Sequence, residues 1–486
     1  MQALRDPLAD IAWRSLLLTG VGSGLLLLVT AGRYGYHRDE LYFLRSGREP
    51  GWGHADNGPL TPLIARTMDT ITQGSLVGLR LPAVLMAVLT VVLTGVIARE
   101  LGAGRGAQVL AAACMGGSAV LMRVDHTLAT ASLDLLVWTT VSWLAVRALR
   151  DESARDWLLA GLVAGIGLQN KWQPAFLLAA LLVGILLLGP RAALRSPWPW
   201  LAGLLALLLW APNLWWQATH GWPQLELSSA IAAGGSHTSE PWYLFAPYQL
   251  VLVSPLLFPV WAVGWWQLLR NPRLAPFRGF AVAYVLLVAV FTVTGGKPYY
   301  LAGLYPVLLA AGAGTILAAL SVRTTVSTLA VSTAIMTVLS LPVLPDRMAT
   351  AGPLRVINPD AGEQIGWPAY VATIRDVRAA QPESRVAVLT ANYGQAGAVD
   401  HLAPELGPAY SGHNSYWDWG PPPADTEAVI VVGMPEGELR RVFADVRLAA
   451  VIDTGVRNQE RGTEVHVVRG QLVSWAELWP HVRHVG

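Results

Sequence analysis

The sequence predicts a polytopic α-helical membrane protein of about 11 transmembrane helices with a C-terminal extracytoplasmic α/β domain. Three observations predict it. Of 486 residues, 53% are hydrophobic and only 14% are charged, with mean hydropathy +0.43; a soluble domain carries roughly 25% charged residues. Apolar runs recur through residues 11–344, several of them close to the short limit of roughly 17 residues for a spanning helix. After residue 345 the composition turns soluble, and strand-like and helix-like segments alternate.

The first run, 11–31, is longer than the h-region of a signal peptide and no A-x-A-like site follows it, so it reads as an uncleaved span. Further runs fall at 81–98, 107–122, 128–148, 157–170, 174–189, 198–217, 246–269, 279–294, 301–320 and 325–344. Those at 107–122 and 157–170 are short enough to be tilted, broken or re-entrant. With the N-terminus, carrying Arg5 and Arg14, on the cytoplasmic side, one set of loops holds Arg99, Arg105, Arg147, Arg150, Arg155, Arg191, Arg195, Arg270, Arg273, Arg278 and Arg323. The short opposite loops hold only Arg123, Lys171 and Lys297. This positive-inside pattern puts 32–80 and everything after about 345 outside the cytoplasm, as in a multi-pass protein of a bacterial inner membrane.

The first outer loop, 32–80, has a Gly/Pro-rich stretch at 50–59 between two runs of helical periodicity, 38–48 and 60–73, which suit short helices lying in the interface. Its arginines, Arg33, Arg38, Arg45, Arg48, Arg66 and Arg80, run against the positive-inside trend. They read either as snorkelling cations or, for one or two, as phosphate ligands. A second outer loop, 218–245, is rich in Gly, Ser and His, including Gly234-Gly235-Ser236-His237, and has the character of a loop closing over a site. The Pro/Gly-rich stretch 342–368 separates a membrane domain, 1–345, from an outer domain, 346–486. In the latter, 385–389 and 427–432 read as strands, 394–402 and 436–444 as helices, 447–453 and 463–469 as strand-like runs and 474–482 as a closing helix. Gly394-Gln395-Ala396-Gly397 lacks the spacing of a nucleotide-binding fingerprint. The single cysteine, Cys114, lies in a span and cannot form an internal disulfide. No basic stripe or recognition motif suggests nucleic acid.

The residues that could carry chemistry cluster at the outer ends of the spans. Asp39 and Glu40 form an acidic pair just past the first span, read either as a solvated loop pair or as a functional one. Asp134 interrupts an apolar helix near the same face, where an unpaired carboxylate is costly; the alternative is a structural partner for an arginine or helix end. Asp125 and His126 read as ordinary loop residues. Only two lysines occur, Lys171 and Lys297, both in very short outer loops. Each is either a snorkelling cation or a compact charge on a phosphate oxygen. A single outer-face site holding Asp39, Glu40, Asp134, Lys171 and Lys297 would fit group transfer from a lipid phosphate: a carboxylate takes a proton from an acceptor hydroxyl and cations stabilise the departing phosphate.

These residues lie in segments that resemble the GT-C glycosyltransferases of the protein O-mannosyltransferase and aminoarabinose transferase type, across roughly residues 10–345. The acidic pair of the first outer loop matches Asp39-Glu40, and Gly58-Pro59-Leu60-Thr61-Pro62 resembles the family's Pro-Pro-Leu segment. Gly167-Leu168-Gln169-Asn170-Lys171 resembles the lysine-bearing tract after the fifth span. Lys297-Pro298-Tyr299-Tyr300-Leu301-Ala302-Gly303-Leu304-Tyr305-Pro306 carries the family's Lys-x-x-Tyr-Leu-x-x-Leu-Tyr-Pro signature.

The resemblance implies a GT-C fold and an inverting hexosyl- or pentosyltransferase that takes its sugar from a polyprenyl-phosphate donor. Asp39 would be the base, with Glu40 and Asp134 orienting acceptor or donor. The aminoarabinose enzymes place a lysine just before their Pro-Pro, where this chain has Asp56-Asn57. Phosphate contacts would then fall to Arg45, Lys171 or Lys297, and substrate contacts to His54, Asp56, Tyr299 and Tyr300. A divalent cation, magnesium or manganese, is compatible with the two carboxylates, but no His/Cys cluster of ligand spacing calls for a metal. The acceptor, whether protein, lipid, glycan or secreted metabolite, is not encoded in any motif. A lipid-linked-sugar flippase would call for charges through the midplane and a repeat between halves, neither of which is present. A non-catalytic assembly subunit would tolerate loss of Asp39.

Overall fold

The computed structural model describes residues 8–234 and 241–486, in two compact units. The first comprises residues up to Ala31, Arg80–Trp222 and Ser228–Leu341; the second comprises Gly32–Leu79, Pro223–Leu227 and Pro342–Gly486. The first outer loop therefore packs with the C-terminal part rather than following chain order.

The first unit is all helix, as a chain with no water to satisfy its backbone requires. Seven helices among the described residues are long and apolar enough to cross a bilayer: Trp13–Thr30, Leu76–Glu100, Thr130–Asp151, Trp198–Thr219, Pro272–Val293, Pro298–Ala319 and Val322–Ser340. Two bent pairs bring the number to nine. Arg105–Gly116 and Ala119–Asp125 break by 55° at Gly117-Ser118, where the Ser118 hydroxyl accepts from Leu121 N. Trp242–Val253 and Phe258–Arg270 break by 107°, with a proline opening the second helix. The other two apolar runs are the 15-residue helices Ala154–Leu168 and Gln173–Leu187. Length and composition thus support seven to nine spans, where the sequence suggested about eleven.

Asp125 ends the helix Ala119–Asp125 and His126 begins the loop that follows it, but neither is an ordinary exposed loop residue. Both are buried, 0% and 3% exposed, and His126 Nε2 lies 3.3 Å from Thr30 O. In the second outer loop the helix Pro223–Ala232 occupies the stretch before Gly234; Gly235, Ser236 and His237 lie outside the described residues.

The second unit is built on a five-stranded sheet: β1 Val386–Thr390, β2 Ala409–Ser411, β3 Ala428–Val432, β4 Phe443–Val451 and β5 Glu464–Gln471, in the order β2-β1-β3-β5-β4. The β2-β1-β3 part is parallel, while β3-β5 and β5-β4 are antiparallel. β3 is buried along its whole length, which explains its unbroken Ala-Val-Ile-Val-Val run. One face of the sheet packs Leu389, Val431 and Val468 on Leu439, Phe443, Trp475 and Trp479. Helices Trp367–Ala379 and Tyr393–Leu402 also belong to this unit.

The helix Tyr393–Leu402 meets a helix of the first outer loop, Arg38–Ser46, at close range. A Cβ at Gly394 would lie 2.8 Å from Arg38 Cβ, and one at Gly397 would lie 3.0 Å from the Leu41 backbone. Gly394-x-x-Gly397 is therefore a helix-contact motif, and this contact positions the acidic pair.

Candidate active site

In the second unit the helix Arg38–Ser46 opens on a capping box. The His37 ring accepts from Asp39 N–H at 3.2 Å, and Glu40 Oε2 accepts from His37 N–H at 2.8 Å. This arrangement separates the two adjacent acids. Glu40 is 0% exposed and committed to the helix start, whereas the Asp39 side chain is 38% exposed. Asp39 Oδ1 accepts a 2.8 Å hydrogen bond from the Tyr393 hydroxyl. Burial holds that phenol well above its usual range, with Asp39 adding to the effect and Arg38 opposing it, so Tyr393 stays a donor. The opposite edge of the His37 ring lies 3.0 Å from Glu363. Burial alone would lower His37, but Glu363, Asp39 and Asp360 raise it to about 9.

Asp56 lies in the same unit, held by donors on both oxygens: the Tyr42 hydroxyl at 2.8 Å and Asn57 at 2.8 Å on Oδ1, and Asn414 at 3.0 Å on Oδ2. Burial raises it to about 6, with the Asp39 charge adding to the effect and the Tyr42 hydrogen bond opposing it. His54 is 4% exposed, and burial lowers it to about 4. Arg45 lies 3.3 Å from Asp400 and 2.7 Å from Glu49, with its guanidinium 4.5 Å above the Trp419 ring. Its charge is met by two carboxylates. Residues 411–419, whose polar and aromatic side chains read in the sequence either as a stacking surface for a sugar or acceptor or as a packed turn, are mostly buried: Tyr416 is buried on Asp400, and Trp417 and Trp479 exchange indole N–H bonds to each other's carbonyls.

In the first unit, Asp134, Lys171, Lys297, Tyr299 and Tyr300 come together. The Lys171 ammonium lies 4.6 Å from the centre of the Tyr300 ring and 5.4 Å from that of Tyr299, within cation–π range. Lys171 also acts electrostatically on Asp134, and both Lys297 and Asp134 act on Tyr300. Three features hold this cluster. The Asn170 amide donates to Thr130 O at 2.8 Å, tying the Lys171 loop to the start of the helix that carries Asp134. Gly303 leaves no room for a Cβ against Trp138, so the turn Pro298–Leu304 sits directly on that helix. Gln249 donates to Pro298 O at 3.1 Å and accepts from the Tyr305 hydroxyl at 2.7 Å, fixing both ends of the lysine-tyrosine signature.

Sequence reasoning gave no role to Tyr393, His37, Tyr42 or Gln249. Only His37 left a local signal, three residues ahead of Glu40. Among the described residues no group of three or more His, Cys, Asp or Glu side chains could hold a metal ion.

The family described as dolichyl-phosphate-mannose-protein mannosyltransferase matches residues 56–216, about a third of the chain. No curated protein matches by sequence. ArnT from Cupriavidus metallidurans bound to undecaprenyl phosphate is similar in structure, with TM-score 0.62 and 13% identity over 94% of this chain and 98% of that one. The same enzyme in the apo state gives TM-score 0.61 and 12% identity over the same shares. With seven to nine apolar helices able to cross a bilayer, the chain is a multi-pass membrane protein that shares the fold of ArnT.

Proposed function

We propose that the protein is an inverting glycosyltransferase that moves a hexosyl or pentosyl group from a polyprenyl-phosphate donor to an acceptor hydroxyl. The reaction takes place at the extracytoplasmic face of a bacterial inner membrane, with the N-terminus cytoplasmic and residues 346–486 outside. The observation that carries this reading is the likeness, along nearly the whole of both chains, to an enzyme whose structure contains undecaprenyl phosphate.

In the reaction, Asp39 takes the proton of the acceptor hydroxyl. The acceptor oxygen attacks the anomeric carbon from the face opposite the phosphate. The bond from that carbon to the phosphate oxygen breaks, and polyprenyl phosphate leaves with the electron pair. Lys171 and Lys297 meet the charge of the departing phosphate, which needs no general acid. Asp134 orients the Lys171 ammonium, and Tyr299 and Tyr300 supply its aromatic seat. Glu40, His54 and Asp56 support the loop that carries the base. Arg45, already held by Asp400 and Glu49, leaves the phosphate to the lysines.

The test is transfer from a panel of radiolabelled polyprenyl-phosphate sugars by membranes carrying the wild type or Asp39→Asn. Labelled product, or slow donor hydrolysis, that disappears in the variant supports the assignment and names the donor. Undiminished transfer by Asp39→Asn removes the base. Donor carried across a vesicle bilayer without turnover would replace the transferase with a flippase.

A further inference from the structure

Four helices of the first unit form two tight pairs. Ala154–Leu168 lies on Trp198–Thr219, where a Cβ at Gly161 would strike the Ala202 backbone. Gln173–Leu187 lies on Arg278–Val293, where a Cβ at Gly184 would strike the Gly279 backbone. Small residues draw the backbones together within each pair. Between the pairs an apolar cavity of about 230 Å³ remains, lined also by Val141, Ala145 and Leu149 of Thr130–Asp151. Two of its lining residues on the spanning helix Trp198–Thr219, Trp200 and Gly203, are exposed, so the cavity opens toward hydrocarbon. A void of this kind leaves its walls without contacts on one side. The surroundings supply one apolar filler, a lipid chain.

The charge around the cavity identifies the lipid. Arg155 precedes the lining residue Trp157 by two positions, Arg195 follows Leu194, and Arg278 precedes Gly279. Arg155 and Arg195 are exposed, and Nε of Arg278 is buried without a hydrogen-bond partner among the described residues. The neighbouring acids Asp156 and Asp151 are already paired with Arg147 and Arg150. Basic pockets between spanning helices take the headgroups of acidic lipids. The cavity also stands apart from the lysine cluster: Leu149 and Asp134 lie on one helix, roughly 22 Å apart at 1.5 Å per residue.

We propose that this cavity binds an anionic phospholipid, one acyl chain filling the space between the helix pairs and the phosphate resting on Arg155, Arg195 and Arg278. This lipid is a structural ligand, and its site does not depend on the transferase reading. The test uses the full chain in detergent, with thermal unfolding and native mass spectrometry in the presence of phosphatidylglycerol, phosphatidylcholine or undecaprenyl phosphate. Phosphatidylglycerol should raise Tm by several degrees more than phosphatidylcholine, with one molecule retained. Gly203→Leu should abolish that response without lowering the lipid-free Tm, since a Cβ there meets nothing within 4 Å. Arg155→Gln with Arg195→Gln, at exposed positions, should reduce the phosphatidylglycerol response to that of phosphatidylcholine and keep the fold. An unchanged response in both variants, equal stabilisation by phosphatidylcholine, or stabilisation by undecaprenyl phosphate alone would overturn the proposal.

Discussion

Around the helix Arg38–Ser46, each of the three acids Asp39, Glu40 and Asp56 receives a hydrogen bond from a named donor, whereas Lys171 lies over tyrosine rings. The two kinds of support differ in what they fix. A hydroxyl or amide at 2.8 Å sets the direction of a carboxylate oxygen. A ring face attracts an ammonium over a broad area and does not dictate where its N–H donors point. The second unit thus presents carboxylates aimed by hydrogen bonds, while the first unit presents an ammonium seated on two tyrosine rings beside Asp134.

The contrast is sharpest between Asp39 and Glu40. If the exposed acid does the chemistry and the buried one holds the helix, Asp39→Asn should lower transfer by about 10²–10⁴-fold with unfolding unchanged. Glu40→Gln should keep most activity, because glutamine also closes a capping box. Equal losses in the two variants would dissolve the distinction between them. On the cation side, if Lys171 meets the donor phosphate as proposed, Lys171→Met removes a charged donor contributing about 1.5–3 kcal/mol, or roughly 10–150-fold. The loss should appear in kcat/KM for the donor at fixed acceptor; a loss confined to acceptor KM would detach Lys171 from the phosphate. Tyr393→Phe tests the orientation of Asp39 and removes one neutral hydrogen bond, about 0.5–1.5 kcal/mol. A fall of roughly 2–10-fold in kcat is expected; no change would mean that Asp39 needs no help in facing the acceptor.

The membrane part was legible because its signal is compositional: every apolar run noted in the sequence coincides with helix. The number of spans was less legible, since Ala154–Leu168 and Gln173–Leu187 have only 15 residues and two further helices bend at breaks that hydropathy averages away. In the sheet, β3 was readable as a continuous apolar run, while β2, three residues long, is too short to carry a period. The helix Trp367–Ala379 was hidden by its own start: Gly366 and Pro368 read as linker, yet proline within the first turn is a helix opener. At the site, Lys171 and the Lys297–Pro306 tract stood out by scarcity and motif. Tyr393 did not, because its partner Asp39 lies 354 positions away and only the Gly394/Gly397 contact brings them together.

Within the carboxylate region, His54 and Asp56 are two buried neighbours that burial drives toward their neutral forms from opposite sides of the pH scale. His54, lowered to about 4 from 6.5, favours the folded state in its neutral form; its contribution is present above pH 6.5 and is lost as pH falls toward 4. Asp56, raised to about 6 from 3.8, favours the folded state when protonated; its contribution is present below about pH 4 and is lost as pH rises through 6. Each shift corresponds to about 3 kcal/mol, and the windows overlap almost completely. The wild type should therefore show little net change in Tm between pH 6.5 and 4 from this pair. His54→Gln should become more stable on acidification, because the Asp56 trend is then unopposed. Asp56→Asn should become less stable over the same range. The slope of Tm with pH, rather than its absolute value, is the observable, so packing losses common to all pH values cancel. Parallel slopes in the two variants would show that these groups do not occupy the buried environment that shifts them in opposite senses.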